Sequence, residues 1–351
     1  MHEHGVTFAA SDDDAFNLNS AVAGAVKDAQ IRGNPLVIRS LLGYSAAQRA
    51  LQGQGKAYKD ATKYLLANML QSICKKLEIE LFYGQMGYGT VSAVNVNDIT
   101  ITTAEWAPGI WAGSENMPIE IRNAAGNVIR GETTISAVNL DTRILSVAAT
   151  PAGTVGTDVI WHKGAYGNEF AGVHKILSNT GTLFNISASA FSLWKASEFA
   201  AGGALSMEKV EKAVTRGVAK GLEGDVSVFV NINGWTNLLT EQAAKRSFDQ
   251  SYNQSEVTNG GKAIKFFGVN GGTISIEPCI YVKEGYGYVL FMEDFMRIGS
   301  TDVSFKSPGG DGEYFRHVEN SAAYELRAFT DQALFCAAPG KNVIITGIVN
   351  S

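Results

Sequence analysis

Residues 29–83 read AQIRGNPLVIRSLLGYSAAQRALQGQGKAYKDATKYLLANMLQSICKKLEIELFY, and two properties of this stretch decide the fold. Its first part, Ala29 to Lys59, holds Arg32, Arg39, Arg49, Lys56 and Lys59 and no acidic residue, in a chain whose formal net charge is −5. Its second part, Ala57 to Tyr83, runs 27 residues without Gly or Pro, which predicts a helix about 40 Å long. The basic part has Gly33, Gly43, Gly53 and Gly55 and only Leu36, Val37 and Ile38 as an apolar run. Fixing such a segment costs roughly 1 to 2 kcal/mol of backbone entropy per residue, so something outside it must offset that cost. The expected partner is an acidic surface on a second copy of the chain, with no home for the arm in its own molecule.

At 351 residues, 45% hydrophobic and 18% charged, the chain fits two or three globular domains with a sparsely charged surface. Thirty-eight glycines against seven prolines indicate many turns and a β-rich architecture. No apolar run is long enough to span a bilayer, and the start, Met1 to Gly5, has neither a basic n-region nor an apolar core, so synthesis and use in the cytosol are expected. Cys74, Cys279 and Cys336 are odd in number and far apart, and are read as buried thiols.

Residues 1 to 28 form a polar leader with the triplet Asp12, Asp13 and Asp14. In the long helix, Ala61, Leu65, Met69, Ile73, Leu77 and Leu81 recur every fourth residue, the stripe of a strut packed on a sheet. From 88 to 163 the period falls to two: Val94 and Val96, Ile99 and Ile101, Ile119 and Ile121, Thr134 to Val138, and Ile144 to Val147. Turns are expected at Asn97-Asp98, at Ala125 to Asn127 and at Asn139 to Thr142, which together predict a small barrel or sandwich. Farther on, Ser206 reads as the N-cap of a helix lined by Met207, Val210, Val214 and Val218. Gly221 and Gly224 end it, Val226 to Val230 reads as a strand, and Trp235 to Arg246 as a second helix. Strands follow at 264–269, 273–276, 286–292, 323–329, 333–337 and 343–348.

Motifs that would carry chemistry are missing. Gly55-Lys56, Gly261-Lys262 and Gly340-Lys341 lack the Ser or Thr and the first glycine of a phosphate loop. Gly84, Gly87 and Gly89 are followed by Ser92 where a dinucleotide site needs its third glycine, and read as the exit of a helix. His2, His4, His162, His174 and His317 show no zinc spacing. Enzyme chemistry is therefore unsupported by these residues rather than excluded, and no catalytic residue, metal or cofactor is expected. Trp106 and Trp111 are expected to fill the core of the β module, with an open cleft that stacks a sugar or base as the alternative. Direct nucleic-acid binding by the arm is disfavoured by the spacing of its cations and the acidic balance of the chain. Between Glu293 and Asp331, eight acids face four cations, a net of −4, and this segment is the expected receiver of the arm. The candidate contacts between copies are Arg32, Arg39, Arg49, Lys56 and Lys59 on one side and Asp311, Glu313 and Glu319 on the other, with ion pairs setting register and apolar contacts supplying the energy.

The order of parts, a leader, a basic loop, a strut ending in Leu81-Phe82-Tyr83-Gly84-Gln85, and a closing Tyr324-Glu325-Leu326-Arg327-Ala328-Phe329, resembles the major capsid proteins of tailed bacteriophages. Lys76 to Gln85, Trp106 to Gly113, Asp225 to Leu239, Phe266 to Pro278, Tyr288 to Ile298 and Ala323 to Ile348 carry the likeness. It implies an α+β, Hong-Kong-97-like capsid fold: an N-terminal arm at 1–28, an extended loop at 29–58, the spine helix of a peripheral domain at 57–87, and an inserted all-β module at 88–163. Peripheral connections at 164–199, an axial domain at 200–290 and peripheral strands at 291–351 complete it. The implied function is self-assembly into pentamers and hexamers that close an icosahedral virion head around packaged double-stranded DNA, without sequence-specific binding and without a membrane. Portal, scaffolding and decoration proteins are the implied partners, and the host cytoplasm the implied place of synthesis. An encapsulin-like compartment shell, or a monomeric β-rich glycan-binding or hydrolytic protein, remains the alternative.

Overall fold

The computed structural model describes residues 11, 27–43, 56–246, 264–305, 315–319 and 323–350. Strand β1 (Asn34–Gly43) precedes helix α1 (Lys56–Tyr83), which is followed by β2 (Gly89–Asn95), β3 (Asp98–Ile101), a helical turn α2 (Pro108–Trp111), β4 (Pro118–Arg122), β5 (Ile129–Asn139), β6 (Ile144–Val147) and β7 (Val159–His162). Next come α3 (Val173–Leu177), the short pair β8 (Thr182–Leu183) and β9 (Ile186–Ser187), β10 (Ser197–Gly203), α4 (Met207–Val218), β11 (Val226–Val230) and α5 (Ile232–Arg246). The chain then forms β12 (Ile264–Phe267), β13 (Thr273–Pro278), β14 (Gly287–Leu290), β15 (Phe295–Ser304), β16 (Phe315–His317), β17 (Ala323–Cys336) and β18 (Val343–Ile348).

Strands β2 to β7 close into a barrel in the order β2-β3-β6-β5-β4-β7, with β7 sealing it against β2. Of the alternation read from the sequence, Ile99, Ile101, Ile119, Ile121, Ile135, Leu145 and Val147 are buried in the barrel beside Val91 and Ile160, whereas Val96 is 82% exposed. The first hairpin turns at Val96-Asn97, one residue earlier than expected, with Val96 at φ +53°. The turn at Asn139 to Thr142 forms as expected: the Asn139 side chain accepts from the amides of Asp141 and Thr142, both at 3.1 Å. Trp106 and Trp111 stack 6.5 Å apart at the end of the barrel and are 2% and 0% exposed. They are core, and the open aromatic cleft of the glycan-binding alternative is not formed.

A six-stranded mixed sheet runs β10-β18-β14-β11-β13-β12. Helices α4 and α5 cover one face through Val210, Val214 and Leu238 against Val228, Val289 and Ile345. Ser206 caps α4 as expected, accepting from the amide of Lys209 at 3.3 Å. Helix α5 begins three residues before the expected start, because the Asn231 side chain accepts from the amide of Asn233 at 2.9 Å and opens the helix there. Strand β18, expected among the peripheral strands, lies instead between β10 and β14. The two strands expected at 323–329 and 333–337 are one 14-residue strand, β17.

Strand β17 is the centre of a third, antiparallel sheet, with β1 on one side and β15 and β16 on the other. Helix α1 joins the cores. Met69 and Ile73 pack on Leu326 and Ala328 of β17, whereas Leu77, Ile79 and Tyr83 enter the large core shared with the barrel, α3 and β14. Of the three cysteines only Cys336 is buried; Cys279 is half-buried and Cys74 is exposed, because the stripe of α1 that reaches the core passes Ile73 and Leu77 and leaves Cys74 outside it.

Candidate functional site

Part of the basic stretch, strand β1, has a home in its own molecule, contrary to expectation. Residues 34–43 pair along their whole length with 323–332. Alternation decides which face each residue takes: Leu36 and Ile38 pack inward beside α1, and Val37, Arg39 and Leu41 point outward, Val37 and Leu41 at 45% and 64% exposure. On β17 the inward Leu326 and Ala328 leave Glu325 and Arg327 on the outer face.

This register sets Arg39 directly opposite Arg327, an arrangement that repels on its own. Glu325 resolves it. Arg39 Nε donates to Glu325 Oε1 at 2.5 Å and its Nη2 to Oε2 at 3.1 Å. Arg327 grips the same carboxylate with Nε at 2.6 Å and Nη2 at 3.1 Å. The two guanidiniums clasp Glu325, which is 4% exposed. Their hydrogen bonds, Arg327's first, hold its pKa down to about 2. The triad carries a net positive charge on a sheet face that also shows Val37 and Leu41.

Glu325 lies in the acidic segment and meets Arg39 within one chain, so Arg39 is spent inside its own molecule. Arg32 is exposed, in the lining of a cleft that Glu169 shares. Glu319 is exposed in the turn between β16 and β17. Lys56 and Lys59 lie in the first turns of α1, with their side chains outside the described residues, as are Arg49, Asp311 and Glu313. Glu325 was missed as a site residue although the sequence held a signal: in Glu325-Leu326-Arg327 the two charges share one face of a strand. Which strand lay beside them was not legible.

Among the described residues no group of three His, Cys, Asp or Glu side chains is placed to hold a metal, and no helix is long and apolar enough to cross a membrane. Gly340-Lys341 lies in a single helical turn, Pro339–Lys341, where Lys341 sits 4.9 Å over the Phe291 ring and 3.7 Å from Asp294. Gly261 and Lys262, like His2, His4 and Gly55, lie outside the described residues.

A buried polar knot ties α1, the barrel and β14 together. Lys283, 3% exposed, pairs with Glu105 at 2.6 Å, donates to the Gly87 carbonyl at 3.2 Å and lies 4.3 Å over the Tyr83 ring. Tyr286 donates to Glu105 at 2.8 Å, and His174 Nδ1 meets the Tyr288 hydroxyl at 2.9 Å. Burial raises the Glu105 pKa, but the Lys283 charge and these hydrogen bonds outweigh it and the net shift is downward. Burial, then the Lys283 charge, pushes His174 down to about 4. These groups bond to one another across three elements, which makes the knot a joint.

No family model matches the sequence, and no curated protein does. Solved structures do match. A chain of the cyanophage A-1(L) capsid asymmetric unit superposes with a TM-score of 0.52 over 90% of this chain and 77% of that one, at 11% identity. The capsid of cyanophage P-SCSP1u covers 99% and 81% at a TM-score of 0.40 and 11% identity. The holo-SrpI encapsulin complex of Synechococcus elongatus covers 50% and 59% at 0.31 and 11%. The latter two superpose too loosely to carry an argument. On the first, the chain has an α+β fold of the kind found in the cyanophage A-1(L) capsid.

Proposed function

We propose that this chain is the major capsid protein of a tailed bacteriophage, which self-assembles as pentamers and hexamers into an icosahedral head around packaged double-stranded DNA. The observation that carries the reading is the superposition of nine-tenths of the chain on the cyanophage A-1(L) capsid chain. In this reading residues 1–28 are the N-terminal arm, 29–58 the extended loop anchored by β1 on β17, α1 the spine, and 200–290 with β18 the axial domain. The closed barrel is an inserted module on the shell. Arg32, Arg49, Lys56, Lys59, Asp311, Glu313 and Glu319 are candidate contacts between copies, while Arg39 anchors the loop within its own chain. Portal, scaffolding and decoration proteins are the expected partners, and the virion the place of action.

Electron microscopy of the purified full-length chain tests this directly. Closed shells of uniform size are the expected outcome. A folded protein that sediments only as a monomer over a wide range of concentration and salt contradicts it.

A further inference from the structure

A cleft of about 800 Å³ opens between the start of β10, the C-terminal end of α4 and the loop after α3. Lys195, just ahead of β10, and Arg216 and Lys220, from the last turn and exit of α4, line it together. Arg216 donates to the backbone carbonyl of Glu198 and lies 5.2 Å over the Phe199 ring. Lys220 Nζ donates to the backbone carbonyl of Lys195 at 2.6 Å. Among the lining residues Glu198 is the one carboxylate, and it accepts from the Thr346 hydroxyl at 2.9 Å. His174 on the floor is neutral near pH 7, its pKa pushed down to about 4 by burial and then by Lys283.

Cations at a helix C-terminus ordinarily cap the helix's own carbonyls and complement its dipole, whereas Arg216 and Lys220 each spend one donor on a carbonyl of the neighbouring segment 195–198. Two facts go beyond capping. Lys195 arrives from a different element and adds a third positive charge. The Lys220 pKa is lowered by burial and then by Lys195, so these like charges are held close at a cost that an anion between them would relieve. A guanidinium has five donors and an ammonium three, and most of these are left for such an anion.

We propose that this cleft binds a phosphate-bearing anion, seated between Lys195 and Lys220 with the Arg216 guanidinium on its flank. The multiple charge of a phosphate answers three cations better than one carboxylate does, and the guanidinium fork matches its oxygens. The same chemistry is offered by a free oligophosphate and by a nucleic-acid backbone. The proposal is independent of the shell reading.

The test is calorimetric titration and thermal melting of the purified full-length chain with sodium tripolyphosphate, a short DNA duplex and polyglutamate, each against sodium chloride of equal ionic strength. The variants are Lys195→Gln with Lys220→Gln, Arg216→Lys, and Lys212→Gln as a control on the exposed side of α4. Tripolyphosphate is expected to raise the melting point of the parent and the control alike, and to bind the double variant about tenfold more weakly or worse. Arg216→Lys, which keeps the charge and loses the fork, falls between, and carries the test should the double variant not fold. If duplex binding also drops in the double variant, the phosphate belongs to nucleic acid; if only tripolyphosphate discriminates, it is a free anion. Equal tripolyphosphate binding by parent and Arg216→Lys or the double variant, no binding at all, or discrimination of polyglutamate alone overturns the proposal.

Discussion

At the scale of single residues, three carboxylates give the protein opposed responses to pH. Glu80 and Glu169 are 7% and 6% exposed and accept from the backbone amides of Phe170 and of Gln85, both at 3.1 Å. Burial raises their pKa values from 4.5 to about 7 and about 8, the amides opposing it in part. The folded chain thus holds protons that the unfolded chain releases, so the contribution to stability is largest below about pH 4.5 and shrinks as pH rises to about 8. Glu80→Gln with Glu169→Gln is expected to flatten the fall of the melting temperature between about pH 5 and about pH 8; an unchanged slope by calorimetry rejects this. Glu325 works the other way, since its folded pKa of about 2 lies below the ordinary 4.5. Its stabilisation is complete above about pH 4.5 and is lost as pH falls toward about 2. The glycines at the exit of α1 are equally local in their logic: Gly87 sits at φ +79°, and a Cβ on Gly84 would meet the Phe170 carbonyl oxygen at 2.2 Å.

At the scale of elements, β1 is a strand that its own sequence does not fully support. Glycines bound it, and its outward face alternates Val37, Arg39 and Leu41 without a partner layer among the described residues. What holds it is the ladder to β17, the inward Leu36 and Ile38 beside α1, and the carboxylate shared by Arg39 and Arg327. Glu325→Gln leaves two arginines face to face with only a neutral amide between them. Faster amide hydrogen exchange at 36–42 is expected for this variant, with the exchange of β11 unchanged, because β11 belongs to a different sheet. Uniform exchange rates in both proteins discard the argument that the triad anchors β1. In the shell reading, the same variant lowers particle yield without unfolding the subunit.

At the scale of the molecule, the barrel reads as an insertion but does not pack as an independent one. Its ends meet, the Tyr88 amide donating to the Ile160 carbonyl at 2.9 Å, so Gly87 and Gly164 sit where a short link could join them. Yet Ile99, Ile119 and Trp111 belong to one continuous core with Tyr83, Val173 and Tyr288, and the Lys283 to Glu105 pair crosses the junction at 2.6 Å. Deleting 89–162 behind a glycine link strips that pair of one member and bares apolar surface. Removing one partner of a buried pair alone costs about 3 to 5 kcal/mol. The shortened chain is expected to be insoluble or to melt far below the parent, and a shortened chain as stable as the parent shows the barrel to be a free appendage.

By itself the sequence determined the local facts: the long helix from its unbroken run and fourfold stripe, the barrel strands β2 to β6, though not the closing β7, from alternation, and the absence of chemical motifs from spacing. These are legible because period and capping depend on neighbours in the chain. Strand β10, with the sequence SEFAAGG, was missed because its Glu and glycines carry little strand propensity and it is held by the parallel ladder to β18. The tertiary structure alone decided that β18 crosses into the six-stranded sheet, that Arg39 meets Glu325 across 286 residues of chain, and that Lys195 meets the end of α4. Such pairings depend on which surfaces the folded backbone brings together, and no local pattern of residues encodes the identity of a distant partner.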